Sequence, residues 1–185
     1  SMIYLILIFN WFDWQGIKTK NFTVFYKPDY EWEAIQALQN LEYYRQKVVD
    51  LTGNETRNLP VVIEDIGTQS NGFANPLFYN MHIFTYAPGF GSYLEGIEDW
   101  YRTVGVHEYT HIAHLTKTSG LPTILTRLFG TPFQVNMYSP GWIIEGITVF
   151  SESQISPYEG RLNDGLFDSY IGARVSAHKF PSIIE

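Results

Sequence analysis

The chain of 185 residues contains no cysteine. This absence excludes disulfide-stapled scaffolds, cysteine-ligated zinc sites, iron–sulfur clusters and thiol nucleophiles. Basic residues are also scarce, because 12 Lys and Arg stand against 19 Asp and Glu, which gives a formal net charge of -7. Since nucleic-acid-binding domains normally carry a basic surface, this balance argues against a nucleic-acid partner.

The chain also lacks long apolar runs, and its composition is not that of a disordered protein. No run reaches the 18 or more apolar residues that a membrane-spanning helix requires. Hydrophobic residues make up 45% and charged residues 17% of the chain, which argues against intrinsic disorder. A chain of this length can bury a real core, so we expect one globular domain without a membrane span.

We expect this domain to occupy residues 21–185, preceded by an extension at 1–20. The apolar run at 3–9 predicts a short strand or, alternatively, the remnant of a signal segment. Against the signal reading, no Lys or Arg precedes the run and no small-residue cleavage site follows it. Because residues 180–185 are mostly apolar and form no polar tail, we expect the domain to come from a longer protein with further domains.

Hydrophobic periodicity predicts mixed secondary structure, and therefore an α+β fold. Alternating, β-branched and aromatic residues predict strands at 21–26, 60–64 and 81–86. The polar, glycine-containing residues 66–76 are expected to form a loop. Helical spacing and capping residues predict helices at about 29–53, 98–117, 139–153 and 165–178, with a helical turn at 123–129.

The strongest chemical signal is the pentapeptide His107-Glu108-Tyr109-Thr110-His111. On a helix, positions i and i+4 lie on one face, so the two imidazoles can share one zinc ion. The intervening glutamate lies beside that face, within reach of water but poorly placed to bind the metal. This is the HExxH pattern of zinc peptidases, in which x is any residue. A surface helix with two unrelated histidines is the simpler alternative.

Two histidines leave zinc one ligand short, because a catalytic zinc site has three protein ligands and one open position. Glu145, in the segment Pro140-Gly141-Trp142-Ile143-Ile144-Glu145-Gly146, lies 34 residues after His111, near the start of a separate predicted helix. Here the chain resembles the gluzincin metallopeptidases, also called peptidase MA-like, whose third ligand is the glutamate of a W-x-x-E-G-like segment. It is most similar to the bacterial peptidase MA-like domains that occur fused to β-propellers.

The resemblance implies that His107, His111 and Glu145 bind Zn2+ and that Glu108 is the general base for a metal-activated water. It implies a zincin-like fold, in which a small mixed sheet with an antiparallel edge strand packs on the HExxH helix, followed by a glutamate helix. In this family the edge strand receives the peptide substrate, and the strand at 81–86 is expected to take that role. A secreted or periplasmic, cell-envelope location is a further implication.

Some family features have no clear counterpart. Thermolysin-like members carry an acidic residue four positions after the glutamate ligand, but here that position is Val149. Glu152, on the same helical face as Glu145, either holds a ligand histidine or is a solvated glutamate. No motif selects the residue that stabilises the oxyanion, so the candidates are Tyr158, Tyr170 and His178.

Two further histidines are candidate site residues. His114 lies seven residues after His107 and is a conceivable third ligand, although packing or support of a ligand fits it better. The metzincin pattern HExxHxxGxxH fails, because His114 replaces its glycine and Lys117 its last histidine. His82, on the predicted edge strand, is a candidate substrate contact.

The sequence therefore predicts zinc-dependent hydrolysis of a peptide bond in a peptide or protein substrate. The absence of a G-x-M-x-N signature favours endopeptidase over aminopeptidase action. Two alternatives remain open. The domain either holds zinc as a catalytically silent structural or interaction module, or is a latent protease blocked by a terminal segment.

Overall fold

The computed structural model of the protein describes residues 5–9, 13–89, 92, 97, 99–158 and 160–179, with the backbone alone at 5–9. Its fold is α+β, with a small mixed sheet and five α-helices. The strands are β1 Leu5–Phe9, β2 Trp14–Lys18, β3 Phe22–Tyr26, β4 Leu59–Glu64, β5 Gly72–Asn75 and β6 Asn80–Phe84. The helices are α1 Glu31–Thr52, α2 Trp100–Leu115, α3 Leu121–Phe129, α4 Gly141–Gln154 and α5 Gly165–Ser176.

The sheet runs in the order β1-β2-β3-β4-β6-β5. Strands β1 to β3 form an antiparallel meander, β3, β4 and β6 are parallel, and β5 pairs antiparallel with β6. Helix α1 makes the crossover between the parallel strands β3 and β4, as parallel pairing requires. This topology places β5 at one edge of the described sheet, next to α2.

The position of β5 corrects two expectations from the sequence. The strand predicted at 81–86 is not an edge strand, since β6 lies between β4 and β5. The segment 66–76, expected to be a loop throughout, contains β5 itself. A four-residue strand that begins with glycine and contains no β-branched residue gives almost no strand signal, and only its pairing with β6 defines it.

The core lies between the sheet and helices α1 and α2. Phe22 of β3 meets Tyr109 of α2 edge to face, with ring centroids 5.2 Å apart. Leu41 of α1 is buried and lies within van der Waals distance of a Cβ built at Gly105, so the two helices pack closely. Nearly every residue of α2 is buried, because this helix has the sheet on one side and α4 on the other.

The carboxy-terminal helices are packed differently. The buried residues of α4 are all polar: Thr148, Ser151, Glu152 and Ser153. Helices α3 and α5 have no buried residue. Among the described residues, no helix is long and apolar enough to cross a membrane. The carboxy-terminal third therefore contacts the rest of the domain mainly through polar groups.

Candidate functional site

Helix α2 presents the two histidines of the HExxH motif on one face, one turn apart. The imidazole rings of His107 and His111 have centroids 4.9 Å apart and planes at 78°. Both side chains are largely buried, because the helix lies under α4 at this point. The predicted helical spacing is thus realised, with each Nε2 atom directed at the same space.

Glu145 of α4 completes a cluster with these two rings. Its Oε2 lies 3.5 Å from His107 Nε2, and its Oε1 lies 3.6 Å from His111 Nε2. One donor atom from each residue lies within 4.8 Å of the other two. Ligands bound tetrahedrally to zinc at 2.0–2.2 Å are about 3.4 Å apart, so small side-chain shifts let these three enclose one ion.

The chemistry of the donors also fits a zinc ion. Burial, together with the neighbouring His107, His114 and Arg161, lowers the pKa of His111 to about 3. This imidazole is therefore neutral at physiological pH, as a metal ligand must be. Two imidazoles and one carboxylate are a ligand set that zinc accepts in catalytic sites. Within the described part of the chain, His107, His111 and Glu145 are the group of side chains that could hold a metal.

The ion pair between Glu152 and Arg161 supports His107 on the Nδ1 side of its ring. The Nδ1 atom of His107 lies 2.9 Å from Oε2 of Glu152, whose side chain is 1% exposed. Arg161 donates from Nε to Glu152 Oε1 over 2.7 Å and from Nη2 to Oε2 over 3.0 Å. Burial opposes ionisation of Glu152, but the hydrogen bonds from His107 and Arg161 outweigh it and hold its pKa below the ordinary value of 4.5.

This network bears on the protonation of His107 that metal binding needs. An ionised Glu152 accepts the Nδ1 proton of His107, which leaves the Nε2 lone pair directed at Glu145. Arg161 Nη2 also lies 3.0 Å from His107 Nδ1, but it can donate there only to the opposite tautomer, in which Nε2 carries the proton. A metal ion on Nε2 would select the first arrangement.

The sequence left two alternatives for Glu152, contact with a histidine or exposure to solvent. The structure places Glu152 against His107, a histidine of the cluster. Arg161, which begins the short 3-10 turn Arg161–Asn163, was not identified from the sequence. The one available signal is indirect: a carboxylate needs a cation when it is buried. Arg161, Arg174 and Lys179 all follow Glu152 in the chain, and nothing in their spacing distinguishes them.

Glu108 lies between α2 and the edge strand β5, outside the ligand cluster. Burial raises the pKa of Glu108 to about 7, and the Glu145 carboxylate adds to the shift, while His107 opposes it. The backbone N–H of Ala74 donates to the Glu108 carboxylate. A Cβ built at Gly72 would approach Glu108 Cγ to 3.1 Å and Val104 Cγ2 to 2.7 Å, so only glycine lets β5 come this near.

The outer edge of β5 borders this carboxylate. The backbone N–H of Phe84 donates to the carbonyl of Asn71, which shows that odd-numbered residues of this segment pair with β6. In an antiparallel strand the alternate residues then direct their backbone groups outward. The outward-facing residues are Gly72 and Ala74.

The remaining candidates lie apart from the cluster. Tyr158 is 90% exposed, and Tyr170 and His178 are exposed on or just after α5. His114 is partly buried one turn beyond His111 and does not join the group. His82 stacks on Phe73, with ring centroids 4.2 Å apart. None of these residues except Phe73 lines the cavities beside the cluster that the described residues form.

No protein-family model matches the chain, and a search of curated proteins finds no significant match.

Proposed function

We propose that the protein is a zinc-dependent peptidase of the gluzincin type, acting as an endopeptidase. The observation that carries the proposal is the convergence of His107, His111 and Glu145 from two separate helices, with the carboxylate of Glu108 beside them but outside the ligand group. A metal site used only for structure has no need of that fourth, buried acid.

The Nε2 atoms of His107 and His111 and the carboxylate of Glu145 would hold the zinc ion. When bound there, zinc supplies Lewis acidity to a substrate carbonyl and to water. Glu152 keeps the Nδ1 proton on His107, and Arg161 holds Glu152 in place. Glu145 is 60% exposed, so the open side of the cluster faces the cleft where substrate enters.

Glu108 would carry the proton through the reaction. Its carboxylate accepts a proton from the attacking water as the water oxygen bonds to the peptide carbonyl carbon. The same oxygen then gives that proton to the amide nitrogen as the C–N bond breaks. A carboxyl with a pKa near neutrality is suited to both transfers, because it gains and loses a proton with little driving force either way.

The outer edge of β5 would orient the substrate. An extended peptide can pair with the outward backbone groups of Gly72 and with the carbonyl of Ala74, whose N–H donates to Glu108, adding a strand to the sheet. This pairing places the peptide backbone alongside Glu108, because Gly72 brings the strand close to that side chain. By resemblance to the family, we also propose a secreted or cell-envelope location.

A second candidate is a catalytically silent zinc-binding module of the same fold. The observation in its favour is that Tyr158, Tyr170 and His178 do not line the cavities described beside the cluster. Without a group to stabilise the developing oxyanion, turnover would be slow even with zinc bound.

Metal analysis and peptide cleavage separate the two candidates. Purified protein should hold one zinc per chain and cleave a mixed peptide library in a reaction that chelators stop. Glu108→Gln should keep zinc and lose about 100- to 10,000-fold in turnover, the usual contribution of a general base. Glu31→Gln, an exposed acid on α1, is the matched control. Stoichiometric zinc without chelator-sensitive cleavage would establish the silent module, and absence of zinc would refute both.

A further inference from the structure

The cleft has a different lining on each side of the histidine cluster. On the His111 side, a cavity of about 380 Å3 is bordered by Phe73, Leu115 and Ile144. On the His107 side, a cavity of about 230 Å3 is bordered by Trp100 and Val104, with polar groups at Thr103 and Arg161, among others. A peptide lying along β5 would place side chains in both.

Thr103 is the unusual residue of the second cavity. It precedes His107 by four residues on α2, so Thr103, His107 and His111 form one stripe along the helix. Thr103 is 5% exposed, and its Oγ1 atom is buried with no hydrogen-bond partner among the described residues. Buried hydroxyl groups almost always have a partner, so an unpaired hydroxyl on a residue that lines a cavity is a candidate partner for a ligand atom.

Charge in the cavity argues against an acidic ligand group. Glu152 and Arg161 are paired with each other and offer no net charge. An acidic side chain would also face Glu108 and Glu145, which line the same cavity. The largely buried Trp100 and Val104 would contact the apolar part of a side chain, and Thr103 its polar end.

We propose that the cavity beside Thr103 is a specificity pocket for a neutral substrate side chain that carries a hydrogen-bonding group, such as Thr, Ser or Asn, whose polar atom pairs with Thr103 Oγ1. The opposite cavity takes an apolar side chain, in contact with Leu115 and Ile144. The inference rests on the proposed peptidase function and adds to it a substrate preference at one of the two positions that flank the cleaved bond.

Matched peptides test this pocket. Quenched fluorescent peptides that differ only by Thr against the isosteric Val, or by Asn against Leu, are compared at each flanking position. The wild type should favour the polar member about 5- to 30-fold in kcat/KM at one position, as expected for one hydrogen bond to an otherwise unpaired group. Thr103→Val should bring this ratio close to one, and Thr103→Ser should restore it.

Thr126→Val is the control, because Thr126 on α3 also has a buried Oγ1 without a partner among the described residues but does not line the cleft. Zinc content and thermal unfolding show that each variant is folded. A wild type without polar preference, or a Thr103→Val variant that keeps it, would overturn the pocket.

Binding distinguishes failure of the pocket from failure of the proposed function. Dissociation constants of the same peptides for zinc-loaded Glu108→Gln report on the pocket without turnover. If the wild type cleaves nothing but Thr103→Val abolishes a polar preference in binding, the pocket stands and the peptidase proposal falls. If neither binding nor cleavage depends on Thr103, the pocket inference is wrong.

Discussion

The two halves of the domain contribute to the site in opposite ways. In the amino-terminal part, 13–115, the sheet, α1 and α2 share a dense apolar core. In the carboxy-terminal part, 116–179, Ile155 is the one described apolar side chain that is buried. The first part supplies His107, Glu108 and His111, and the second supplies Glu145, Glu152 and Arg161. One half holds its residues by packing, and the other by hydrogen bonds and charge.

Helix α4 shows how far this contrast goes. Its polar side faces α2, where Thr110 donates to Ser151 over 2.8 Å and His107 meets Glu152. Its apolar residues Trp142 and Phe150 are exposed. Apolar packing keeps a helix in place without regard to protonation, whereas polar contacts depend on partners and charge. The position of Glu145 therefore depends on the groups of the site itself.

The largest expected effect is a difference in stability between two leucine truncations, one in each half of the domain. Leu41→Ala should lower the free energy of unfolding by about 2–5 kcal/mol, because the side chain is 1% exposed between α1 and α2. Leu128→Ala on α3, where the side chain is 70% exposed, should change it by less than about 0.5 kcal/mol. Urea denaturation measures both. Equal losses would show that the carboxy-terminal helices share the apolar core.

The next effect is the pH dependence of stability that the buried carboxyl of Glu108 causes. The pKa of Glu108 is raised from 4.5 to about 7, so between these pH values the unfolded chain releases a proton that the folded chain keeps. Stability of the metal-free protein attributable to this group is full below pH 4.5 and falls as the pH rises towards 7, by on the order of 3 kcal/mol.

Glu108→Gln should remove that loss. In chelator-treated protein the variant should be about as stable as the wild type at pH 4.5 and clearly more stable at pH 8, as measured by urea denaturation at both values. The same stability difference at both pH values would show that Glu108 is not destabilised by burial. Glu31→Gln, at an exposed position on α1, is the control.

The smallest of the three effects is a loss of zinc affinity when Glu152, in the carboxy-terminal half, is changed. Glu152→Gln puts an amide where His107 and Arg161 both donate, so one of the amide hydrogens must face another donor. Zinc affinity should fall about 10- to 100-fold, the usual result when a group that orients a ligand is changed. Competition with a chromophoric chelator measures it, again with Glu31→Gln beside it. Unchanged affinity would show that His107 needs no support from Glu152.

The difference between local patterns and tertiary contacts explains which features could be predicted from the sequence. The helix at 98–117 is observed as Trp100–Leu115, and the helix predicted from Ser139-Pro140 is observed as Gly141–Gln154. Local spacing and capping are enough for such elements. The prediction that Glu145 meets the two histidines came from resemblance, and the structure brings the three together. Whether they bind zinc stays a prediction.

What the sequence did not reveal depends on contacts between distant segments. Strand β5 is defined by pairing with β6, and its four residues carry no strand pattern of their own. Arg161 meets Glu152 across a turn that no local signal describes. In each case the deciding contact is tertiary, which residue type and spacing do not encode.

Gly72 has a consequence for how different peptides would be handled. With no side chain between the strand edge and Glu108, the spacing between the base and a paired peptide is set by main-chain geometry alone. Every peptide sequence has the same main chain. Changes in substrate side chains should therefore alter how tightly a peptide is held much more than how its scissile amide is aligned with the proton acceptor.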